Sequence, residues 1–246
     1  IKEKKKTFFI VFLAIMILDN FYISYMVGGF ALLYFLSRYF TENKVTDWKK
    51  FIKALARFLF SAVVAALISG ILVVPTYFAI KNTGTQIYLS NPINTFNFNL
   101  FLSKFFAGTY ETISYGQPNI YIGLIPLILL IPYFFNKKIS QKEKIISLLM
   151  YVGMFISFTV PIVDLAWQGF ETPIWYMFRF SFVYSFMMLS YAYKEFVNIK
   201  YSSNKSIIIS GVILICILVY LLFTYVGAGG MLVIAGNIVM VIIYVV

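Results

Sequence analysis

Long apolar runs separated by short polar segments dominate the pattern of this chain. Eight runs carry almost no charge and read as helices rather than strands, since they do not alternate in polarity. A helix needs about 20 apolar residues to cross the hydrocarbon of a bilayer, whereas the strands of membrane barrels are about ten residues long. The pattern predicts an all-α polytopic membrane protein with about eight transmembrane helices, at 7–18, 21–36, 54–75, 119–135, 145–163, 176–194, 206–225 and 231–246.

The first two runs are separated only by Asp19 and Asn20, which predicts a tight helical hairpin with Asn20 capping the second helix. The first arm has 12 residues in this prediction, or about 18 Å of helix. That length would leave Asp19 below the surface of a bilayer whose core is about 30 Å thick, where a carboxylate is a candidate functional group. The alternative interpretation is a polar hairpin tip at the interface.

A long loop at 81–118 is rich in Asn, Thr, Ser and aromatic residues, and is predicted to lie on the outer face. Its segment "TFNFNLFLSKFF" predicts a short amphipathic helix resting on the outer leaflet. The alternative is a loop that simply packs against its neighbours. We expect residues 1–246 to form one transmembrane domain that continues beyond both ends of this sequence.

Composition agrees with the membrane prediction, because 61% of the residues are hydrophobic, 12% are charged and the mean hydropathy is +0.88. The only cysteine is Cys216 and histidine is absent. A disulfide framework, a His-containing zinc motif and a Ser/His/Asp triad are therefore excluded within this chain. No cofactor motif is identified, and a requirement for a divalent metal stays open.

The basic residues are concentrated in four segments, which hold 17 of the 20 Lys and Arg residues when Arg57 is included: 1–6, 37–53, 136–144 and 194–205. The positive-inside rule makes these segments cytoplasmic, together with both ends of the sequence. Four of the nine acidic residues, Asp19, Glu111, Asp164 and Glu171, fall at or beyond the other ends of the predicted spans, so we expect the chemistry on the extracytoplasmic side. Because the positive charge is spread over separate loops, it does not predict nucleic-acid binding.

The stretch 164–182 contains most of the candidate chemistry. Thr172 followed by Pro173 has the arrangement of an N-cap and first helical residue, so a helix is predicted to begin there. Trp175 and Arg179 would then share one face of that helix. Arg179 would lie near the outer edge of the hydrocarbon, where a guanidinium needs an anionic partner.

Three interpretations of Arg179 stay open. In the first, Arg179 pairs with Asp164, Glu171 or Asp19 and stabilises helix packing. In the second, it binds a phosphate bidentately. In the third, its side chain extends towards the lipid headgroups. The nearby Trp167 and Trp175 also allow two interpretations. They form part of an interfacial aromatic belt, or their rings stack on a sugar.

Three stretches resemble successive signature regions of the YfhO family of bacterial membrane proteins: "DNFYISYMVGGFALLYFLSRYF", "PNIYIGLIPLILL" and "WQGFETPIWYMFRFSF". The resemblance implies a helical bundle of the GT-C class in the bacterial plasma membrane. It also implies an inverting hexosyltransferase that takes a sugar from a polyprenyl-phosphate carrier. The expected acceptor is a cell-surface glycopolymer such as teichoic acid, on the outer face.

The resemblance further implies roles for single residues. Asp19 or Glu171 is the candidate base, unless the base lies outside this sequence, and Arg179 is the candidate for stabilising the departing lipid phosphate. One departure concerns Gln168, which stands where the family pattern has a histidine, so a proton transfer by that histidine is not carried over. The candidates for substrate binding are Arg179, Asn20, Tyr22, Asp164, Trp167, Gln168 and Trp175.

Two other functions use the same residues. A transporter or flippase of lipid-linked sugars needs the basic and aromatic groups but no general base, although the halves of this chain show no internal repeat. A structural scaffold would use Asp19 and Arg179 only as an ion pair. Sugar transfer in detergent separates a transferase from both alternatives.

Overall fold

A computed structural model describes residues 3–44, 46–82, 96–109, 116–170, 177–224 and 230–245. Within these ranges all regular structure is helical, as predicted, and a 3₁₀ turn at Ile199–Tyr201 adds to the α-helices. The α-helices are α1 (Glu3–Asp19), α2 (Phe21–Glu42), α3 (Trp48–Asn82), α4 (Phe98–Ser103), α5 (Leu124–Phe135), α6 (Gln141–Thr159), α7 (Pro161–Trp167), α8 (Ser181–Val197), α9 (Asn204–Thr224) and α10 (Gly230–Val245).

By its internal contacts the chain divides into two compact units. Unit 1 comprises Ile1–Pro92 together with Leu165–Thr172, and unit 2 comprises Ile93–Asp164 together with Pro173–Val246. Unit 1 is built on α1, α2 and α3, and unit 2 on the packing of α5 against α8 and α9 and of α9 against α10.

The predicted hairpin opens unit 1. The side chain of Asn20 accepts a hydrogen bond from the Ile23 backbone N–H at 3.0 Å, which confirms it as the N-cap of α2. Helix α1 has 17 residues rather than 12, or about 25 Å of helix, and Asp19 is exposed at its end. Helix α1 is therefore longer than predicted but still shorter than a hydrocarbon core of about 30 Å, and the depth of Asp19 in the bilayer stays a prediction.

Small residues let α1 and α3 approach closely. Ser61, Ala65 and Ser69 follow one another at four-residue spacing on α3 and are fully buried. The Ser69 hydroxyl donates across the interface to the Ala14 carbonyl at 3.0 Å. Apolar side chains have no net drive to leave lipid for a helix surface, so such interfaces rely on close packing and interhelical hydrogen bonds. The other faces of α3 are apolar and exposed, as suits contact with lipid.

The core of unit 2 is formed by leucine, isoleucine and valine side chains of α5, α9 and α10 around Phe106. Ser210 of α9 donates to the Ile128 carbonyl of α5 at 2.7 Å. At Gly211 an added Cβ would lie 2.7 Å from a methyl carbon of Val245, so α9 and α10 touch there without a side chain between them.

The predicted span 145–163 is broken by Pro161. Helix α6 ends at Thr159, and α7 leaves at an angle of 99°. Proline has no N–H to donate and disfavours helical backbone at the preceding residue, and Val160 is extended (φ −98°, ψ 110°). Asp164 therefore lies in the short helix α7, beyond the end at residue 163 that was predicted for this span.

The predicted helix at 176–194 begins later than expected. Residues 177–180 form a turn, and α8 starts at Ser181. Phe178 has a left-handed backbone conformation (φ 55°), which an α-helix excludes. Arg179 consequently precedes the helix, so its predicted position on a helix face is wrong. The proposed cap and proline at Thr172 and Pro173 lie outside the described residues.

Eight spans are not confirmed. In the described part of the chain, α3 and α9 are long and apolar enough to cross a bilayer alone, and α6 with α7 makes a third span if a bent pair counts as one. Helices α5 and α10 are apolar but shorter. The helix predicted within 81–118 is observed as α4, whose Phe101 is buried against the rings of Phe155 and Phe158. The predicted helix is therefore confirmed, and Phe101 packs on neighbouring side chains, while a position of this helix on the outer leaflet stays a prediction.

Candidate substrate site

The first signature stretch begins at the hairpin tip, formed by Asp19 and Asn20. Asp19 is the last residue of α1, and both tip residues are exposed. The Asn20 carbonyl also accepts the Ser24 hydroxyl at 2.8 Å, so the turn is held by the first turn of α2. Tyr22, another predicted substrate-binding residue, is half-buried in that same turn.

The first and third signature stretches meet within unit 1. Tyr25 of α2 donates its hydroxyl to the Ala166 carbonyl at 2.7 Å, although 141 positions separate the two residues. One turn further along α2, a Cβ added at Gly29 would lie 3.2 Å from the Trp167 ring. Glycine at that position thus admits the indole against the helix backbone.

This packing changes the interpretation of Trp167 and Gln168. Trp167 is only 9% exposed and Gln168 only 1%. A ring that stacks on a sugar, or that forms an aromatic belt, has to present a face outside the protein. The indole of Trp167 instead packs on α2, so its described contact joins two segments of unit 1.

Helix α7 ends in a tight turn directly after these residues. The Phe170 N–H reaches back to the Leu165 carbonyl at 2.8 Å, and Gly169 and Phe170 have φ values of 71° and 65°. Glycine adopts this conformation freely, whereas for phenylalanine it is strained, and strain of this kind clusters at functional sites. Glu171 and Trp175, two of the predicted site residues, lie just beyond the turn and outside the described residues.

In unit 2, Arg179 lies in a turn formed by residues 177–180, here called the Arg179 turn. The side chains on both sides of it, Phe178 and Phe180, are buried. Both pack on Phe158 near the end of α6: the Phe180 ring stacks on it at 4.9 Å, and the Phe178 ring meets it edge-on at 5.9 Å. Arg179 itself is half-buried, so the two rings fix its backbone while its side chain keeps partial exposure.

Asp164, the remaining candidate, is half-buried in the first turn of α7 and belongs to unit 2 with Arg179. Asp19, Asn20, Tyr22, Trp167 and Gln168 belong to unit 1. Among the described residues, no three Asp, Glu or Cys side chains are grouped in a way that could hold a metal ion.

Unit 2 also contains an apolar groove of about 520 Å³ between α10, the start of α5 and residues 107–108. Its lining includes Gly108, Tyr121, Ile125, Val233, Gly236 and Tyr244. The amide of Asn237 is occupied at this place, because it accepts from the Ala107 N–H and donates to the Ala107 carbonyl, both at 2.9 Å. The groove thus offers a largely apolar surface, which suits a hydrocarbon chain.

The sequence matches the family described as bacterial membrane protein YfhO, and the match extends over residues 1–245. The chain belongs to the YfhO family. No curated protein and no solved structure matches the sequence. The predicted family is therefore confirmed over almost the whole chain, and the YfhO assignment makes the protein a membrane protein.

Sequence reasoning missed several residues that organise the candidate site of this YfhO chain. Tyr25 and Phe158 were not singled out, and neither were Phe178 and Phe180. The alternation "FRF" in residues 178–180 was the one available signal, because it places apolar rings on both sides of a charge. The partner of those rings, in α6, is 20 or more positions away and becomes visible only in the fold.

Lys104 was also missed. It is 1% exposed and donates a hydrogen bond from its Nζ to the Thr109 carbonyl. The Thr109 hydroxyl in turn donates to the Ser103 carbonyl at 2.6 Å. The ammonium group of Lys104 therefore stabilises the loop after α4. It is not presented to a substrate.

Proposed function

We propose that this YfhO-family protein is a membrane glycosyltransferase that moves a sugar from a polyprenyl-phosphate carrier to a cell-surface glycopolymer such as teichoic acid. The active face in this proposal is extracytoplasmic, in the plasma membrane of a bacterium. The signature stretches support the proposal through their resemblance to the family, and the Arg179 turn supports it through its geometry.

The Arg179 turn is the observation that carries the proposal. An arginine that only packs between helices needs no strained backbone beside it, yet Phe178 adopts φ 55° and is buried on Phe158. A guanidinium held on a fixed backbone binds phosphate oxygens with a smaller entropic cost than one on a mobile loop. We therefore assign Arg179 to the phosphate of the lipid carrier.

The reaction is a displacement at the anomeric carbon. The acceptor hydroxyl oxygen forms the new glycosidic bond as the bond between that carbon and the phosphate oxygen breaks, and the configuration inverts. The bonding electrons leave with the lipid phosphate, and the hydroxyl proton passes to a carboxylate. Arg179 stabilises the negative charge that develops on the leaving phosphate.

Among the described carboxylates, we assign to Asp19 the role of general base, which accepts the proton of the acceptor hydroxyl. It is exposed at the end of α1, so it is accessible, and the resemblance makes it one of two candidates. The other candidate, Glu171, lies outside the described residues. The assignment of Asp19 is tested by itself, independently of Arg179.

Transfer of radiolabelled sugar from a polyprenyl-phosphate donor by the full-length protein in detergent tests this function. We expect Arg179→Met to lower transfer by about 10²–10³-fold, the usual cost of losing one charge-stabilising donor. Arg38→Met is the matched control, because Arg38 forms an exposed pair with Glu42 on the surface of α2. Equal transfer by the Arg179 variant and its control, at equal folded yield, would contradict the proposal.

We propose that the apolar groove of unit 2 binds the hydrocarbon chain of the carrier. A Cβ added at Gly236, which lines the groove, meets nothing within 4 Å, so a side chain has room to leave the backbone there and Gly236→Leu fills part of the groove. We expect this change to lower transfer from a long-chain donor about tenfold and to spare a donor with a short prenyl chain. Gly153→Leu is the control, since Gly153 in α6 has equally open space but does not line the groove.

A transporter or flippase of lipid-linked sugars is the second candidate. The break between α6 and α7 favours it, because transporters often form their binding sites at broken helices. Detergent solution removes compartments, so purified protein that transfers sugar there cannot act by transport alone. Absence of transfer by the wild type, together with retained binding of the lipid-linked sugar, would favour the transporter.

A further inference from the structure

One end of unit 2 gathers lysines from two separate loops. Residues 136–144 connect α5 to α6, and residues 194–205 include the end of α8 and the start of α9. These two segments hold seven lysines but only two carboxylates, Glu143 and Glu195. We call the exposed lysines of these loops the lysine surface: Lys137, Lys138, Lys142, Lys200 and Lys205.

Asn136 connects the two loops through hydrogen bonds. It is fully buried, and its Nδ2 donates to the Glu195 carboxylate at 2.8 Å and to the Asn198 carbonyl at 3.0 Å. Its Oδ1 accepts the backbone N–H of Lys138 at 2.8 Å. One side chain thus sets the position of Lys138 relative to the loop that carries Lys200.

The two carboxylates of these loops are turned inwards. Glu195 is fully buried and accepts hydrogen bonds from Asn136 and from the Ser202 hydroxyl. Glu143 pairs with Lys194. The negative charge is therefore engaged in holding the loops, while the lysine surface keeps its positive charge outside.

Lys138 and Lys200 converge on one aromatic ring. Their Nζ atoms lie 5.6 Å and 5.1 Å from the centre of the exposed Tyr201 ring. Both ammonium groups thus lie close to one exposed ring, and both attract an anion that binds beside it. Tyrosine is also a residue that prefers the headgroup level of a membrane.

Exposed apolar side chains surround this place in the sequence. Phe135 ends α5, Phe196 and Val197 end α8, and all three are more than half exposed. Side chains of this kind lie stably in lipid and not in water. A partner that offers both a negative headgroup and apolar chains fits this combination better than a soluble anion does.

We propose that the lysine surface binds the phosphate headgroup of an anionic phospholipid, with Lys138 and Lys200 as the contacting residues. Asn136 is a positioning residue for this site. The proposal is independent of the glycosyltransferase assignment, because none of these residues takes part in it.

Native mass spectrometry of the full-length protein with added phosphatidylglycerol or phosphatidylcholine tests the proposal. We expect tighter binding of phosphatidylglycerol by the wild type, and loss of about 25-fold in its affinity in the double variant Lys138→Gln/Lys200→Gln, or about fivefold for each lysine. Lys49→Gln/Lys50→Gln, at the exposed start of α3 in unit 1, is the matched control and should keep the preference.

Two results would overturn the proposal: equal affinity for the two lipids in the wild type, or an equal loss in both double variants. A third arm distinguishes the source of the phosphate. We expect soluble glycerol phosphate in excess to leave phosphatidylglycerol bound, since the acyl chains contribute to the site. Displacement by glycerol phosphate would show an anion site with no preference for lipid, contrary to the proposal.

Discussion

The hairpin tip of unit 1 and the Arg179 turn of unit 2 both place a charged residue directly beside a helix end, but they hold it differently. At the tip, Asp19 is exposed, and the described contacts of the turn are the cap from Asn20 and the bond between Ser24 and the Asn20 carbonyl. At the Arg179 turn, two buried rings bracket the charge and pack on a third.

The difference indicates which of the two positions is preorganised. A capping hydrogen bond contributes about 1 kcal/mol, whereas a buried phenylalanine that is truncated in a core costs several times more. A charge on a fixed backbone suits a role that depends on geometry, such as binding a phosphate. A charge at an exposed tip suits a role that depends on access, such as exchanging a proton.

The largest expected effect concerns Phe158, the ring on which the Arg179 turn rests. It also contacts the rings of Phe101 and Tyr184, so Phe158→Ala removes the centre of an aromatic cluster. We expect a loss of about 3 kcal/mol in the free energy of unfolding, measured by denaturant titration in detergent.

Phe223→Ala is the control for this change, because Phe223 is 85% exposed on α9. It should shift the unfolding curve very little. A similar loss in the two variants would mean that the aromatic cluster does not anchor the turn.

The second effect concerns Asp19. Since a general base contributes at least about 10²-fold, we expect Asp19→Asn to lower sugar transfer by about 10²-fold, equivalent to about 2.7 kcal/mol. Stability should change little, because Asp19 is exposed. A loss of less than twofold would remove Asp19 from the reaction and move the role of base to Glu171 or to a residue outside this sequence.

The smallest effect concerns the cap itself. Asn20→Ala removes the acceptor for the Ile23 N–H, and we expect a loss of about 1 kcal/mol in the free energy of unfolding. Asn20→Ser should restore most of it, since serine caps helices about as well as asparagine. If alanine and serine give the same stability, the cap does not hold the tip.

Much of the fold was predictable where a local signal decides it. The hairpin at Asp19 and Asn20 was predicted with its cap, because a polar pair between two apolar runs has few other solutions. Helices α9 and α10 were predicted to within two residues at the bounds of their apolar runs. Pro161 is visible in the sequence as well, but it was predicted to lie near the end of a span. In the structure it separates two helices that meet at an angle of 99°.

Other features depend on contacts between distant segments and could not be predicted. The start of α8 was placed too early because the left-handed conformation of Phe178 is set by its burial on Phe158. Trp167 was interpreted as a ring facing outwards, since the sequence does not reveal that Gly29 makes room for it. Eight spans were not confirmed in the described part of the chain, because apolar composition does not fix the length of a helix.

Binding of the lipid carrier itself tests the central claim, that Arg179 holds a lipid phosphate, most directly. The measurement compares the affinities of polyprenyl phosphate and of the uncharged polyprenol for the full-length wild type, Arg179→Met and Arg38→Met in detergent. We predict that the wild type and Arg38→Met prefer the phosphate by about 10–100-fold, the worth of charge-assisted hydrogen bonds, and that Arg179→Met loses this preference. An unchanged preference in Arg179→Met would contradict the claim and leave Arg179 a packing residue.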